Sequence, residues 1–259
     1  MKTIESKRFV LLSISLTLAV AVVNGVIAQA NQFVSSKQVV RDTAEPADKN
    51  SYRPGISNLH IVPLFGELPR STFQKKEDER FFQNCDKLFP NRQEASAFFA
   101  ERAWDYLKEG ELDTAVYRFN LAYLLNPNSA EAYWGLGVIS FHRNDLPEAI
   151  RLLGKGLVVE PKNAPLMVDL ATLHLNYFKQ KNDTLDITKA EHLLNQSIAI
   201  EPNNANAYLK LSIAEFYQQH YDEAWADLHK CRQLDLSSLD LTFLAELKSK
   251  KEDPQGVFK

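Results

Sequence analysis

The sequence predicts an all-α fold built from repeated helical hairpins, and three observations carry that prediction. First, residues 130–161 read as a helix, a tight turn and a second helix. Second, alanines recur at one place in the hairpins: Ala115 and Ala149 lie 34 residues apart, and so do Ala190 and Ala224. Third, a proline follows Ala115, Ala149 and Ala190 after 12 residues in each case. Such a period is typical of a solenoid, in which each unit buries its apolar face against its neighbours.

The repeated pattern divides much of the chain into four units. They are residues 96–129, 130–163, 164–204 and 205–238. The third unit is seven residues longer than the others, and the extra residues are expected between its two helices, within 176–188. Small residues occupy the eighth, twentieth and twenty-seventh positions of every unit. They are Ala103, Ala115, Ala122, Gly137, Ala149, Gly156, Ala171, Ala190, Ser197, Ser212, Ala224 and Cys231.

This spacing of small residues resembles the tetratricopeptide repeat family. The resemblance implies a right-handed α-solenoid of about four helix-turn-helix units. Small side chains let two helix axes approach each other, and bulky neighbours fill the flanks to interior density. The chain departs from the family pattern at Arg102, where the first unit should carry Leu, and at Leu236, which replaces the last proline.

Two further helices are predicted to cover the ends of the array. Residues 71–89 begin with a capping box and carry apolar residues at helical spacing, which predicts an N-terminal capping helix. Residues 239–259 are predicted to form a C-terminal capping helix, to about Lys251, followed by a tail. A solenoid needs such caps because its terminal units would otherwise expose an apolar face.

Residues 1–30 have the pattern of an export signal. Lys2, Lys7 and Arg8 form a basic start, an apolar run follows, and residues 28–30 form a small-x-small cleavage site. The pattern predicts a body exported to the periplasm or the cell exterior, in a Gram-negative bacterium, with cleavage before Asn31. The alternative is an uncleaved anchor, because the apolar run approaches the roughly 20 residues that span a bilayer.

Residues 31–70 are polar and show neither helical nor alternating periodicity, which predicts an extended or disordered segment. One part is different, because residues 60–69, HIVPLFGELP, form an apolar run interrupted by proline. Two interpretations are open for this run. It packs on the first helices of the array, or it lies in the protein's own binding groove.

The family resemblance implies that the first helix of each unit lines a concave groove for protein or peptide ligands. When the family's groove positions are carried over to this sequence one by one, the residues found there are mostly apolar and aromatic. Such a lining suits an apolar helix or an extended apolar peptide. The alternative is that these side chains pack on neighbouring helices or under residues 61–68. The residues expected to contact a partner are Trp104, Leu107, Trp134, Val138, Phe141, Leu209, Ile213, Phe216 and Tyr217.

No catalytic motif accompanies the repeats. Metalloprotease, thiol-redox, serine-hydrolase and phosphate-loop patterns do not occur, and a formal net charge of −3 implies no bulk attraction to nucleic acid. His174 is expected on a packed face, and Cys85 and Cys231 are expected to be buried thiols, because opposite ends of an array cannot be joined by a disulfide.

These observations predict a non-catalytic adaptor that uses neither metal nor cofactor. Its partner is expected to be a protein or peptide of unknown identity, and it would contact a membrane only through an uncleaved leader. The alternative is a structural or self-assembling envelope protein whose groove is filled in cis by residues 60–69. The sequence does not determine the oligomeric state.

Overall fold

A computed structural model of the chain describes residues 59–258. The predicted leader, residues 1–30, and the segment 31–58 lie outside the described residues. Within 59–258 the chain forms ten α-helices and three short 3-10 helices without any β-strand, which confirms the predicted all-α repeat fold. No helix in this part of the chain is both long and apolar enough to cross a lipid bilayer.

Eight of the described helices form four antiparallel hairpins, and one further helix precedes and one follows them. In chain order the α-helices are α1 Thr72–Leu88, α2 Arg92–Lys108, α3 Leu112–Leu125, α4 Ala130–His142, α5 Leu146–Val159, α6 Ala164–Lys181, α7 Thr184–Ile200, α8 Ala205–Tyr217, α9 Tyr221–Leu234 and α10 Leu241–Lys250. The hairpins are α2–α3, α4–α5, α6–α7 and α8–α9, and we number them units one to four. Within each unit we call the two members the first and the second helix.

Polar side chains determine where three of the first helices begin. Ser129, Asn163 and Asn204 each accept a hydrogen bond from the backbone N–H three residues further on. Each cap satisfies one of the N–H groups that a helix start leaves free and contributes about 1 kcal/mol. Each also follows a proline by two residues, and the residue before a proline is disfavoured in helical geometry. The outgoing and incoming helices therefore end and begin at equivalent positions in successive units.

The small residues of the repeat pattern lie where helices make their closest contacts. All twelve are buried. Gly137 shows why a small side chain is needed, since a Cβ atom there would lie 2.1 Å from Leu153 Cδ1 and 3.2 Å from the Ala149 carbonyl oxygen. The positions of small residues in the sequence thus indicate where the helices contact each other.

The extra residues of unit three lengthen both of its helices instead of forming a loop. Helix α6 has 18 residues where α8 has 13, and α7 has 17 where α9 has 14. The turn between α6 and α7 is correspondingly short, with Asn182 in the left-handed region at φ 55°. The small contact residues keep their places because the added length lies at the far end of the hairpin.

The last described residues, 251–258, fold back onto α9 and we call them the tail. Asp253 accepts hydrogen bonds from three backbone N–H groups, those of Gln255, Val257 and Phe258. Its Oδ1 also lies 2.7 Å from His229 Nε2, and both side chains are almost fully buried. The His229 and Phe258 rings stack with centroids 5.5 Å apart. The tail is therefore packed structure that closes the C-terminal end of the described array.

Candidate binding face

The nine residues predicted to line a groove lie on the first helices of units one, two and four, and we call this side of the array the first-helix face. They separate into two groups by exposure. Trp104, Phe141, Phe216 and Tyr217 are half-buried. The other five are buried, namely Leu107, Trp134, Val138, Leu209 and Ile213. The buried five pack within the array, so only the half-buried four present surface to a ligand in this conformation; contact with a partner stays a prediction.

Two tryptophans connect the first helices of units one, two and three. The Trp104 indole N–H donates a hydrogen bond to Glu131 Oε2 at 2.9 Å, and the Trp134 indole N–H donates one to Asp169 Oδ2 at 2.8 Å. The two indole rings meet edge to face with centroids 5.7 Å apart. Each indole thus binds an acidic residue on the next first helix, and Trp134 fixes the spacing of units two and three from the interior.

Two buried ionisable residues lie on the first helices of units three and four, Asp169 on α6 and Lys210 on α8. Burial raises the pKa of Asp169 to about 7, although its hydrogen bond from Trp134 acts in the opposite direction. Burial likewise lowers the pKa of Lys210 to about 8, while the negative charge of Asp240 opposes that change. A carboxyl group and an amine with such pKa values change charge state near neutral pH, so the interior of this face responds to pH.

Aromatic side chains of α6, α8 and α10 meet at the C-terminal end of the first-helix face. Phe178 and Tyr217 lie 5.4 Å apart, and Phe216 lies 5.5 Å from Phe243 of the capping helix, measured between ring centroids. The Lys179 amine lies 5.4 Å above the Tyr217 ring, within cation–π range. This end therefore offers apolar surface with a positive charge beside it.

The segment 60–69 does not lie on the first-helix face, which corrects the alternative that it fills the groove in cis. Residues 60–67, which we call the strap, lie on second helix α3 of unit one, against the C-terminal end of α4 and on second helix α5 of unit two. Asn120 of α3 holds the strap backbone, because its Oδ1 accepts the Leu64 N–H at 2.8 Å and its Nδ2 donates to the carbonyl oxygens of His60 and Val62 at 2.9 and 2.8 Å. Asn120 is buried, and an amide in that position needs partners. The strap supplies them.

Side chains fasten the strap to unit two as well. The Glu67 carboxylate pairs with Arg151 at 3.1 Å and with Lys155. The hydrogen bond from Lys155, together with that from Arg151, lowers the pKa of Glu67. Leu64 and Phe65 are buried, at 3% and 6% exposure, and the Arg70 guanidinium lies 4.2 Å over the Phe65 ring. The strap thus joins units one and two.

The strap backbone is strained. Four consecutive residues have positive φ: Leu64 at 52°, Phe65 at 54°, Gly66 at 68° and Glu67 at 54°. For residues with a Cβ atom the left-handed region costs roughly 1–2 kcal/mol each. Only Gly66 adopts it without that penalty. The contacts of Asn120, Leu64, Phe65 and Glu67 offset this cost.

The titratable residues singled out in the sequence lie in the packed interior. His174 Nδ1 lies 2.7 Å from Asp186 Oδ1, and both residues are buried between α6 and α7. Cys85 and Cys231 are free, buried thiols, and burial raises the pKa of each to about 11. Among residues 59–258 no group of three or more His, Cys, Asp or Glu side chains is arranged to hold a metal ion.

Sequence analysis did not single out several buried polar residues, among them Asn120, Asp169 and Lys210. Each interrupts a largely apolar stretch of helix, as in FNLAYLL around Asn120 and LMVDLATL around Asp169. An isolated polar residue in such a stretch indicates that a partner must exist, since buried polar groups are hydrogen-bonded. It does not say which segment provides the partner.

Comparison with known proteins identifies the repeat in units one and two. The tetratricopeptide repeat family profile matches residues 101–165, which span units one and two and the start of unit three. Residues 101–165 therefore carry tetratricopeptide repeats. No curated protein matches this chain in sequence.

Solved structures resemble this chain in fold. PilF of Pseudomonas aeruginosa is 18% identical, with 65% of this chain and 79% of that chain covered and a TM-score of 0.51. PilW, described as a widely conserved type IV pilus biogenesis factor, is 17% identical over 80% of this chain and 90% of its own, with a TM-score of 0.51. A chain of the APC/C Cut9–Hcn1 hetero-tetramer is 19% identical, covers 61% and 30%, and also scores 0.51. At these identities the likeness concerns the fold.

Proposed function

We propose that this chain, which carries tetratricopeptide repeats, is a non-catalytic adaptor that binds an apolar segment of another protein on its first-helix face. The observation that supports this proposal is the row of half-buried aromatic side chains, Trp104, Phe141, Phe216 and Tyr217, along the first helices. Aromatic residues that are partly exposed on a rigid scaffold are common anchors of protein interfaces. The buried residues of this face serve as the support that keeps the anchors in place.

The proposal includes export of the protein to the periplasm or the exterior of a Gram-negative cell. It rests on the basic start, the apolar run and the small-x-small site within residues 1–30. The partner would accordingly be a protein or peptide of the cell envelope. The adaptor uses no metal or cofactor.

Site-specific photocrosslinking in living cells tests the binding face. Phe141 or Tyr217 is replaced by p-benzoylphenylalanine, which keeps the benzyl part of the side chain, so the packing of α4 and α8 changes little. The matched control carries the same amino acid at Ile200, which is 41% exposed at the end of second helix α7. We expect a crosslinked partner from positions 141 and 217, identified by mass spectrometry, and none from position 200.

Three other results would count against the proposal. Crosslinking from position 200 alone would move the interface to the second helices. A folded protein that crosslinks from none of the three positions would refute the adaptor function. Crosslinking of positions 141 and 217 to a second copy of this chain would favour the self-assembling alternative.

A further inference from the structure

The contact between the strap and units one and two is made largely by backbone recognition. All three hydrogen bonds of the Asn120 side chain go to backbone atoms of the strap, and the Arg143 guanidinium donates a fourth to the Ile61 carbonyl oxygen at 3.0 Å. Hydrogen bonds to the main chain do not depend on the side chains of the bound segment. Surfaces that bind linear peptides combine such bonds with pockets for a few side chains. The second-helix side of units one and two has both.

The side-chain part of the contact defines a short pattern. Two adjacent apolar residues, Leu64 and Phe65, are buried, a small residue follows, and the carboxylate of Glu67 binds two cations. Arg151 and Lys155 remain 38% and 39% exposed, so an incoming carboxylate can reach them. A peptide with two apolar residues, a glycine and an acidic residue in succession has the chemistry that this surface binds.

The strap itself fills the surface imperfectly. It achieves its contacts only with four consecutive left-handed residues, three of which carry a Cβ atom. A cleft of about 390 Å³ remains between it and unit two, lined in part by Val62, Gly66, Arg143, Glu148 and Arg151. Backbone strain held in place by surrounding contacts is a mark of functional segments. A peptide that is free at both ends can occupy the same surface with a relaxed backbone and use the open cleft.

We infer that the second-helix side of units one and two is a peptide-binding site, occupied in cis by the strap, which accepts a linear peptide of a partner protein carrying two adjacent apolar residues, a glycine and an acidic residue. This site is separate from the first-helix face. Binding of the partner displaces the strap from Asn120 and from the pair Arg151 and Lys155. The segment 60–67 is then the internal competitor for the site.

A fluorescein-labelled synthetic peptide with the sequence HIVPLFGELPR tests the site by fluorescence anisotropy. The full chain carrying Leu64→Ser and Phe65→Ser has lost the apolar anchors of its strap but keeps Asn120, Arg151 and Lys155. We expect this variant to bind the peptide at least roughly tenfold more tightly than the unaltered chain does, because the internal competitor is removed. Adding Asn120→Leu, which keeps the approximate shape, should abolish binding, with helicity checked by circular dichroism.

A charge exchange provides a readout that simple packing would not produce. Arg151→Glu with Lys155→Glu in the strap-weakened chain should weaken binding roughly tenfold. A peptide with Lys in place of its Glu should restore it. Failure of the exchange, or equal binding with Asn120→Leu, would overturn the inference.

A second measurement uses the unaltered chain and does not depend on a variant folding. Excess peptide should increase hydrogen exchange at the Leu64 amide, which Asn120 otherwise protects. Unchanged exchange at saturating peptide would contradict displacement. A concentration-dependent dimer of the unaltered chain that Asn120→Leu abolishes would assign the site to the strap of a second copy and overturn the assignment to a partner protein.

Discussion

The strap and the tail both pack on the described array, but they are held in different ways. The strap lies on units one and two, where it is bound by the buried Asn120 of α3 and by exposed ion pairs of Glu67. At the C-terminal end the tail carries its own hydrogen-bond acceptor, Asp253, which binds the tail backbone and buried His229. Glu67 is 43% exposed, whereas the His229 and Asp253 side chains are 1% and 2% exposed.

This difference indicates which of the two segments can detach. The strap combines exposed charge with a strained backbone, so its contacts are individually replaceable by those of a competing peptide. The tail combines buried charge with stacked rings, and removing one member would leave a buried polar group without a partner, which is costly. The strap and the tail therefore differ in the solvent access of their ion pairs and in their backbone strain.

The largest expected effect is at the tail. Trp225 is fully buried and donates its indole N–H to the Lys251 carbonyl oxygen at 3.1 Å. We expect Trp225→Ala to lower the free energy of unfolding by about 3–5 kcal/mol. Phe65→Ala in the strap should cost less, about 1–2 kcal/mol, because detachment of the strap limits the loss. Urea unfolding of both variants checks this. If Phe65→Ala lowered the free energy of unfolding as much as Trp225→Ala or more, the strap would be held as tightly as the tail.

The middle of the array should lose stability as the pH rises from 4 to 7. The pKa of Asp169 is about 7 in the folded protein and 3.8 is its ordinary value, so the folded state binds more protons between these values. Stability from this group is therefore present below about pH 4 and lost as the pH rises to 7. In the unaltered chain this rise in pH should lower the free energy of unfolding by on the order of 3 kcal/mol, and Asp169→Asn should remove that decrease. It keeps an acceptor for Trp134.

Urea unfolding at pH 4.5 and 7.5 measures this effect as the difference between the unaltered chain and Asp169→Asn. Asp227, whose pKa burial also raises to about 7, contributes a slope of the same sign to both proteins and cancels in the comparison. Identical pH dependence in the two proteins would show that Asp169 is ionised in the folded state at low pH as well.

Salt should weaken the attachment of the strap more than that of the tail. Exposed ion pairs are screened at 1 M NaCl, where the Debye length is about 3 Å, and buried pairs are screened much less. We expect hydrogen exchange of the strap amides, such as Leu64, to accelerate a few-fold in 1 M NaCl. Exchange of the tail amides of Val257 and Phe258 should change little. Equal acceleration of hydrogen exchange in the strap and in the tail would mean that the tail is held no more tightly than the strap.

The smallest expected effect concerns backbone strain. Gly66→Ala adds a Cβ atom to a residue at φ 68° and should cost about 1 kcal/mol. Gly154→Ala is the matched control, because Gly154 lies within helix α5 and a Cβ there meets no atom within 4 Å. That substitution should raise stability by about 0.5–1 kcal/mol. Thermal unfolding checks both, and stabilisation by Gly66→Ala would show that the left-handed turn is not strained.

The fold was predictable because small residues must recur wherever helices meet closely. Gly137 and its equivalents carry this requirement in the sequence itself, since a larger side chain would collide with Leu153. The strap was not predictable in detail. Its left-handed turn contains only one glycine, Gly66, so local conformational preference argues against it. Its place depends on Asn120, which is about 60 residues away along the chain.

The candidate site was predictable only in part, for a related reason. Helix α4 is buried over most of its circumference, so its periodicity does not separate residues that face a ligand from residues that face a neighbour. Trp134 illustrates the ambiguity. It occupies a family groove position, yet its indole N–H donates a hydrogen bond to Asp169 inside the array. Phe141, on the same helix, is half-buried. Only the three-dimensional arrangement distinguishes the two.

The long hairpin of unit three has a practical consequence. Helix α6 exceeds the first helix of unit four by five residues, and at 1.5 Å per residue its tip projects about 7.5 Å further. The turn at Asn182 and Asp183 is exposed and remote from the small contact residues Ala171 and Ala190. An epitope or a fluorophore inserted at this tip would stand clear of the stacked units and would report on the molecule without altering how they pack.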